Sequence, residues 1–442
     1  MNTPIYDFVK TYANKNKSRF HMPGHKGSSL LGPECLDITE IDGADVLSEA
    51  KGIIGESEKN ATSIFGSAHT FYTTQGSTTA ICAMLALVES EKPRPLIWAA
   101  RNVHKAFVHA VALLDFDVEF IMPEDFASII KCEISPPQLY KKLENANKMP
   151  DAIYITSPDY LGNMQDIKGI AEVCKSFNIP LLVDNAHGAY LKFLPESLHP
   201  LDEGATVCCD SAHKTLPVLT GGAYLHIAKN APQSYVDNAR QKLALFSSTS
   251  PSYLTLQSLD LCNAYLSDNF KTELLDCIKK ITLIKKELTE KGFVLSGDEP
   301  LKIVIHASKS GYTGKELAAA LKEHEIEIEF CDNDFLALMC TPQNSKADFE
   351  RLQKAFSGIS AKAPLEQRTL SMSEPERICS VRKAVFAKQE SVAIKKAKGR
   401  ICASLTVSCP PAVPIAICGE RITTEHIELF EHYGIETVEV TK

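Results

Sequence analysis

The sequence predicts a doubly wound, mainly parallel α/β sheet, and two observations predict it. Between about Thr70 and Ala228 short β-rich runs recur: "PLIWAA", "DVEFIM", "DAIYIT", "PLLVDN", "ATVCCD" and "AYLHIA". Helical patterns separate several of them, such as "GIAEVCKSF" ahead of "IPLLVDN". Parallel neighbours need crossover helices, so this alternation selects the α/β class, although it leaves the strand order open.

The flanking segments read differently. Residues 1–60 form an arm with short helices, and "FHMPGHKGS" (Phe20 to Ser28) is loop-like in its Gly, Pro and His content. Residues 61–265 form the large domain. Residues 266–365 begin with a connecting helix and continue as "LKIVIHA", "TGKELAAALKEH", "IEIEFCD", "FLALMC" and "KADFERLQKAF", a β-α-β-β-α order that predicts a small α+β domain. After a linker at Ala361 to Arg368, residues 366–442 read as a compact C-terminal module containing "SVRKAVF", "SCPPAVP" and "CGERIT".

Composition narrows the function classes. The 442 residues are 44% hydrophobic, enough for a large core and two to four domains, and carry a net charge of -8. That balance argues against nucleic acid or an anionic membrane as partner and is compatible with a cationic substrate. Met1 to Lys17 lacks the apolar core of a signal peptide, and no apolar run approaches the roughly 20 residues of a membrane span. The 14 cysteines are scattered without a Cys-x-x-Cys pair, so we expect reduced thiols in a cytoplasmic protein, with no disulfide framework or metal site.

Four segments carry chemistry, each with a plainer alternative. In "CCDSAHKTLPVLTGGAYLHI", Lys214 follows an apolar strand in a Ser/His/Gly-rich turn, where a ligand meets the carboxyl end of a strand. Its amine could form an imine with an aldehyde cofactor, or it could be a surface lysine. In "IPLLVDNAHGAY", Asp184 ends an apolar strand, where a carboxylate needs a cation or donor; it pairs with a cofactor or caps a helix. In "YTTQGSTTAICAMLALVES", Gly76-Ser77-Thr78-Thr79 opens a helix, as a phosphate site or as an N-cap. In "ARNVHKAFVHA", His104 lies just past a strand, as a ring that stacks on a cofactor or as a polar loop residue. Pyridoxal 5′-phosphate (PLP) is one ligand that uses all four in this order: phosphate turn, stacking ring, carboxylate for a pyridinium nitrogen, lysine for an aldehyde.

The chain resembles the short bacterial form of the ornithine/lysine/arginine decarboxylases, a fold-type-I PLP family. The resemblance rests on "FHMPGHKG", "FGSAHTFYTTQGST", "RNVHKAFVHA", "LLVDNAHGAY", "DSAHKTLPVLT", "SSTSPSYLTLQSLD" and "PPAVP" with "GERIT". It implies an aspartate aminotransferase-like large domain with a seven-stranded sheet, and PLP as cofactor. It also implies roles. Lys214 is the Schiff-base lysine, Asp184 pairs with the pyridinium nitrogen, His104 stacks on the ring, and Ser77, Thr78, Ser211 and His213 bind phosphate. His187 lies near the ring on the Asp184 side. Thr249 and Ser250 reach the phosphate of a neighbouring subunit, so the active unit is a homodimer or larger. The reaction implied is decarboxylation of arginine, lysine or ornithine to the amine of polyamine synthesis, with Lys214, His213 or a cysteine returning a proton to Cα.

Four places depart from the family pattern. Asn185 stands where Glu is common, Asp159 replaces a usual Thr or Ser, and Gly221-Gly222 and Ala412 also differ. The acidic segment Glu40 to Ala50 could meet the distal cation of a substrate, or be a solvated loop. Two rivals remain. Another PLP reaction, such as transamination or aldol cleavage, would need an arginine clamp for the α-carboxylate, with Arg101, Arg382 and Arg421 as candidates. A silent homologue acting as a partner protein would have no need of both Lys214 and Asp184.

Overall fold

The computed structural model describes residues 1–15, 17–89, 91–366, 370–405 and 411–442. Cys409, the first residues of "SCPPAVP" (Ser408–Pro410), and the end of the expected linker (Gln367, Arg368) lie outside the described residues.

Seven strands form the main sheet: β1 (His69–Thr73), β2 (Leu96–Ala100), β3 (Asp117–Ile121), β4 (Ala152–Thr156), β5 (Leu181–Asp184), β6 (Val207–Asp210) and β7 (Ala223–Ile227). Their order is β1-β7-β6-β5-β4-β2-β3. The chain divides into two compact units, residues 1–89 with 167–272, and residues 90–166 with 273–442.

In the first unit β5 and β6 run parallel, with Asp184 opposite Cys209. β7 is antiparallel to both β6 and β1. Every residue of β5, β6 and β7 is buried, as expected of strands covered on both faces. The helix Ile53–Phe65 feeds this sheet and stops at Gly66, whose φ of 69° is the left-handed C-cap that a side chain would disfavour.

The arm is less irregular than its composition suggests. It contains the amphipathic helix Pro4–Asn14, which buries Ile5, Val9 and Tyr12. That helix has no side-chain cap of its own. Asp260 supplies one from the helix Tyr253–Ser267, its Oδ2 accepting from Ile5 N (2.9 Å) and Tyr6 N (3.0 Å). Tyr253 donates to Asp45 O (2.7 Å) and Gln257 to Leu36 O (3.0 Å), so three residues of the "SPSYLTLQSLD" segment hold the arm. Burial lifts the Asp260 carboxyl to about 6.

In the second unit β2 lies between β3 and β4 and runs parallel to both. A four-stranded antiparallel sheet follows, in the order β10-β11-β9-β8, from β8 (Leu295–Ser296), β9 (Lys302–His306), β10 (Phe330–Cys331) and β11 (Phe335–Met339). With the helices Gly314–Lys322 and Lys346–Ser357 it forms the expected β-α-β-β-α arrangement. The "IEIEFCD" run is strand only at Phe330–Cys331, because Glu325 turns the chain in a left-handed conformation (φ 58°) ahead of it. The C-terminal module pairs β12 (Gln389–Ala393) with β13 (Thr437–Thr441). One apolar cluster joins Ile130, Leu161, Phe330 and Phe335 to Ile415, Leu429 and Val440, so the module shares a core with its unit.

Candidate active site

The first unit brings three of the four sequence-predicted segments, those of Lys214, Asp184 and Ser77–Thr78, to the ends of β5 and β6. Leu181–Val183 are apolar because they fill the interior, and Asp184 ends that strand 2% exposed. Its Oδ1 accepts from Ala186 N (3.2 Å) and from the Cys209 thiol (3.7 Å) on the neighbouring strand. The next helical turn, Ala189–Phe193, begins at Gly188 with no side-chain cap, so Asp184 is not the helix cap that sequence also allowed. Burial, and then the Asp184 charge, push the Cys209 thiol well above its ordinary value. Cys209 stays protonated and donates.

β6 ends at Asp210 and runs directly into the short helix Ala212–Thr215. Lys214 N bonds to Ser211 O (3.0 Å), which curls the turn. The Lys214 side chain is half-buried, with Nζ 3.0 Å from Nε2 of the buried His187. It is therefore held, not a loose surface lysine. His213 donates from Nδ1 to Gly222 O (3.0 Å). Burial lowers its pKa, so at neutral pH the ring is neutral with its lone pair on Nε2.

The helix Gly76–Ala86 follows β1, and its N-cap position, Gln75, provides no side-chain cap. Ser77 and Thr78 therefore stand in the first turn instead of capping it. Ser211 Oγ donates to Ser77 Oγ (2.8 Å), which ties the lysine turn to this helix start. Gly76 N donates to Gly221 O (2.7 Å). Gly221 has φ 97°, and a Cβ there would meet Thr74 O at 2.6 Å, so the Gly221 departure serves a close backbone approach. Thr249 and Ser250 lie in an exposed turn. Ser248 in that turn donates its N–H to Gln75 Oε1 (2.9 Å), one residue before the helix.

The second unit holds the remaining candidates. His104 is the N-cap of the helix Lys105–Leu114, its Nδ1 accepting from Ala106 N (3.1 Å). Arg101 is not available as a carboxylate clamp, because Pro414 O, Ile415 O and Glu420 Oε2 take its guanidinium (3.2, 2.6 and 3.2 Å). Arg382 donates to Ala112 O and Leu113 O at the end of its neighbouring helix. Arg421 pairs with Glu376 (2.8 Å). Asp159 accepts from Leu161 N, Asn163 N and Asn163 Nδ2 at 2.7 to 3.0 Å, which shapes the loop after β4. Burial raises its carboxyl to about 6. Ala412 sits in the left-handed region (φ 60°) and its carbonyl accepts from Lys105 N (2.9 Å).

In the acidic segment, Asp45 is consumed by backbone. It accepts from Val46 N, Lys51 N, Gly52 N and Ile54 N, capping the helix Ile53–Phe65. Glu49 pairs with Lys51.

Sequence reasoning missed one group in the first unit. Asp210 is fully buried, with Oδ2 3.0 Å from His226 Nε2 and 3.1 Å from His199 Nε2, and Oδ1 2.7 Å from Asn185 Nδ2. The signal was present: Asp210 ends an apolar strand just as Asp184 does.

The donor set fits PLP. A half-buried amine faces an imidazole, a buried carboxylate ends the adjacent parallel strand, and an uncapped helix start bears hydroxyls joined to the lysine turn. These are the groups an aldehyde, a pyridinium and a phosphate need.

Comparison with known proteins agrees. The family model "Orn/Lys/Arg decarboxylase, major domain" matches residues 3–307, and "Orn/Lys/Arg decarboxylase, C-terminal domain" matches residues 367–434. An arginine decarboxylase of Bacillus subtilis is 31% identical over 458 residues, covering 96% of this chain and 92% of the relative. Among solved structures, a lysine decarboxylase of Francisella novicida superposes with a TM-score of 0.81 at 17% identity, covering 100% of this chain and 81% of that one. The constitutive lysine decarboxylase of Escherichia coli gives a TM-score of 0.77 at 17% identity, with 100% and 82% covered. Fold, donor set and family models converge: the chain belongs to the Orn/Lys/Arg decarboxylase family, a family of PLP-dependent enzymes of fold type I.

Proposed function

We propose that this enzyme decarboxylates a basic amino acid, arginine, lysine or ornithine, to the corresponding amine, with PLP carried on Lys214. The observation that carries the reading is the convergence of Lys214, His187, Asp184 and the Ser77–Ser211 contact in one compact unit. When bound, the cofactor supplies the electron sink that lets a Cα–carboxylate bond break.

The residues divide the remaining work. Asp184, oriented by Ala186 N–H and the Cys209 thiol, keeps the pyridinium nitrogen protonated. Ser77, Thr78 and Ser211 hold phosphate at the helix start, where backbone N–H groups favour an anion. His213 belongs to the same turn. Its neutral ring, with Nδ1–H committed to Gly222 O, takes a proton on Nε2 before it can give one to Cα. His187 fixes the Lys214 amine, and His104 is assigned the stacking role.

Arginine and lysine are the favoured substrates, supported by the names of the relatives. The enzyme works as a homodimer or larger assembly, with Thr249 and Ser250 reaching the phosphate of the next subunit. Phe20, Leu30 and Leu31 on the arm are 96%, 91% and 87% exposed, apolar surface of the kind that self-association covers. Among the described residues no helix is long and apolar enough to cross a membrane, and every cysteine is a free thiol, which supports a cytoplasmic place in polyamine synthesis. The arginine clamp of a transaminase finds no support, because Arg101, Arg382 and Arg421 are all engaged by protein groups.

Product analysis tests the reading. PLP-loaded protein is incubated separately with arginine, lysine and ornithine, and products are weighed by mass spectrometry. Loss of CO2 from one substrate supports it; a keto acid or aldehyde in place of the amine overturns the reaction while leaving the cofactor.

A further inference from the structure

The ends of β5 and β6 present two buried carboxylates, not one. Asp184 lies opposite Cys209 in the parallel register, so these two side chains share a sheet face, as their 3.7 Å contact requires. Side chains alternate along a strand, so Asp210 and Asn185 point to the other face. His226 and Tyr224 of β7 share that second face, since Tyr224 is opposite Asp210 and His226 is opposite Cys208.

Three donors converge on Asp210 there: Asn185 Nδ2, His199 Nε2 and His226 Nε2, all from residues with no exposure. His199 Nδ1 accepts from Leu201 N (3.4 Å), which leaves the proton on Nε2. His226 Nδ1 is 2.8 Å from Thr70 Oγ1, which in turn meets Ser67 Oγ at 2.8 Å. Burial alone would lift the Asp210 carboxyl, but His199 and His226, whose Nε2–H groups both donate to it, outweigh burial and hold Asp210 ionised. The other titratable groups around it are Cys208, Tyr224, Asp202 and Lys192; burial keeps Cys208 and Tyr224 protonated. His199, Cys208 and Asp210 offer metal-binding atoms within 4.8 Å of one another, but a protonated thiol and an imidazole already donating to Asp210 make this a hydrogen-bonded cluster.

Asp210 is wired to both working strand ends. Asn185 directly follows Asp184, its N–H bonds Cys209 O (3.0 Å), and its side chain is wedged so tightly that a Cβ on Gly188 would lie 2.0 Å from Asn185 Oδ1. On the other side Asp210 is followed by Ser211, which reaches Ser77 through its hydroxyl and Lys214 through its carbonyl.

We infer that Asp210 is a positioning residue for the cofactor site: from the opposite face of the sheet, its bonds to Asn185, His199 and His226 fix the strand ends that present Asp184 and Lys214. The inference rests on the PLP reading. It gives the Asn185 departure a role, since the amide is the donor that Asp210 requires.

The test compares the PLP-free full chain with Asp210→Asn and Asn185→Ala. Each protein is titrated with PLP by absorbance, its unfolding midpoint in urea is read without cofactor, and the bound cofactor's absorbance is followed against pH. Asp210→Asn should weaken PLP binding by about tenfold, a loss of about 1.4 kcal/mol. It should also lower the pH at which the bound cofactor's absorbance changes, because a buried anion that favours the protonated form is gone. Asn185→Ala removes one of the three donors and should weaken PLP binding roughly threefold to tenfold, with the chain still folded at a modestly lowered unfolding midpoint. If Asp210→Asn fails to fold, Asn185→Ala decides alone. Wild-type PLP affinity in Asn185→Ala, with an unshifted absorbance profile, would overturn the inference and leave the cluster structural. Failure of the wild-type chain to bind PLP would instead sink the cofactor reading. The cluster would then still be visible in PLP-free protein as two downfield imidazole N–H proton resonances that Asp210→Asn abolishes.

Discussion

Two strand ends in this molecule look alike in sequence and are used differently. "PLIWAA" is followed by Arg101 and "PLLV" by Asp184, each a charge directly after a buried apolar run. In the second unit the two terminal nitrogens of Arg101 are engaged by two carbonyls and the buried Glu420, so its charge stitches the C-terminal module to β2. In the first unit Asp184 accepts from Ala186 N–H and the Cys209 thiol, beside the strand that leads into Lys214. A buried charge at a strand end is thus not itself a mark of function; its partners decide. Ion pairing with a packed module spends the charge on the fold, whereas the carboxylate beside the lysine turn is the one we propose serves chemistry.

That contrast can be broken most sharply at the lysine. Lys214→Ala should remove the cofactor's lysine-linked absorbance and lower turnover by on the order of 10³-fold or more, with folding intact by circular dichroism. An unchanged spectrum would mean the wrong lysine. Next, Asp184→Asn should retain PLP yet lose turnover by about 10²- to 10³-fold, since the amide cannot hold the pyridinium proton. Equal activity would end the electron-sink assignment.

The structural side of the contrast predicts the opposite pattern. Glu420→Gln leaves Arg101 buried without its counter-ion, and should lower unfolding free energy by about 3 kcal/mol in urea while the residual folded enzyme keeps its turnover per bound PLP. A variant of normal stability and poor turnover would move the Arg101–Glu420 pair to the functional side.

The smallest effect concerns pH. Asp260 has its carboxyl raised to about 6 by burial, above the 3.8 of an unperturbed aspartate. A carboxyl that the fold keeps protonated contributes stability fully below pH 3.8 and loses it as pH rises through about 6. Asp260→Asn should therefore flatten the stability profile between pH 4 and 6, measured by thermal unfolding. An unchanged slope would mean that Asp260, and the arm it caps, do not govern this region. Asp210 works in the other sense: its lowered carboxyl contributes stability above the ordinary aspartate range and loses it in acid.

Much of the proposed site was readable because it is local. Asp184 ends an apolar run and Lys214 follows one in a polar turn, a pattern contained in a few consecutive residues. The α/β class was readable for the same reason. What escaped was pairing across the chain. Nothing near β7 in sequence says that it runs antiparallel between β6 and β1, and the register that brings His226 to Asp210 follows only from that direction. The Arg101 pair spans more than 300 residues, so its guanidinium read as a possible clamp until its partners were seen. Asp45 read as part of an acidic patch, while its left-handed backbone (φ 67°) turns the carboxylate onto Gly52 N–H and Ile54 N–H at the following helix start. Ser77 and Thr78 read as a phosphate site or as caps; the cap position fell to Gln75, as the chain turns at the Gly76–Gly221 contact.

Lys214, in the short helix that follows β6, is the residue we propose carries the cofactor. Borohydride reduction of the PLP-loaded enzyme fixes the cofactor on whichever lysine holds it, and peptide mass spectrometry then reads the position. The expected result is a pyridoxyl label on the peptide containing Lys214, absent in Lys214→Ala. A label on another lysine, or retention of the label in that variant, would contradict it.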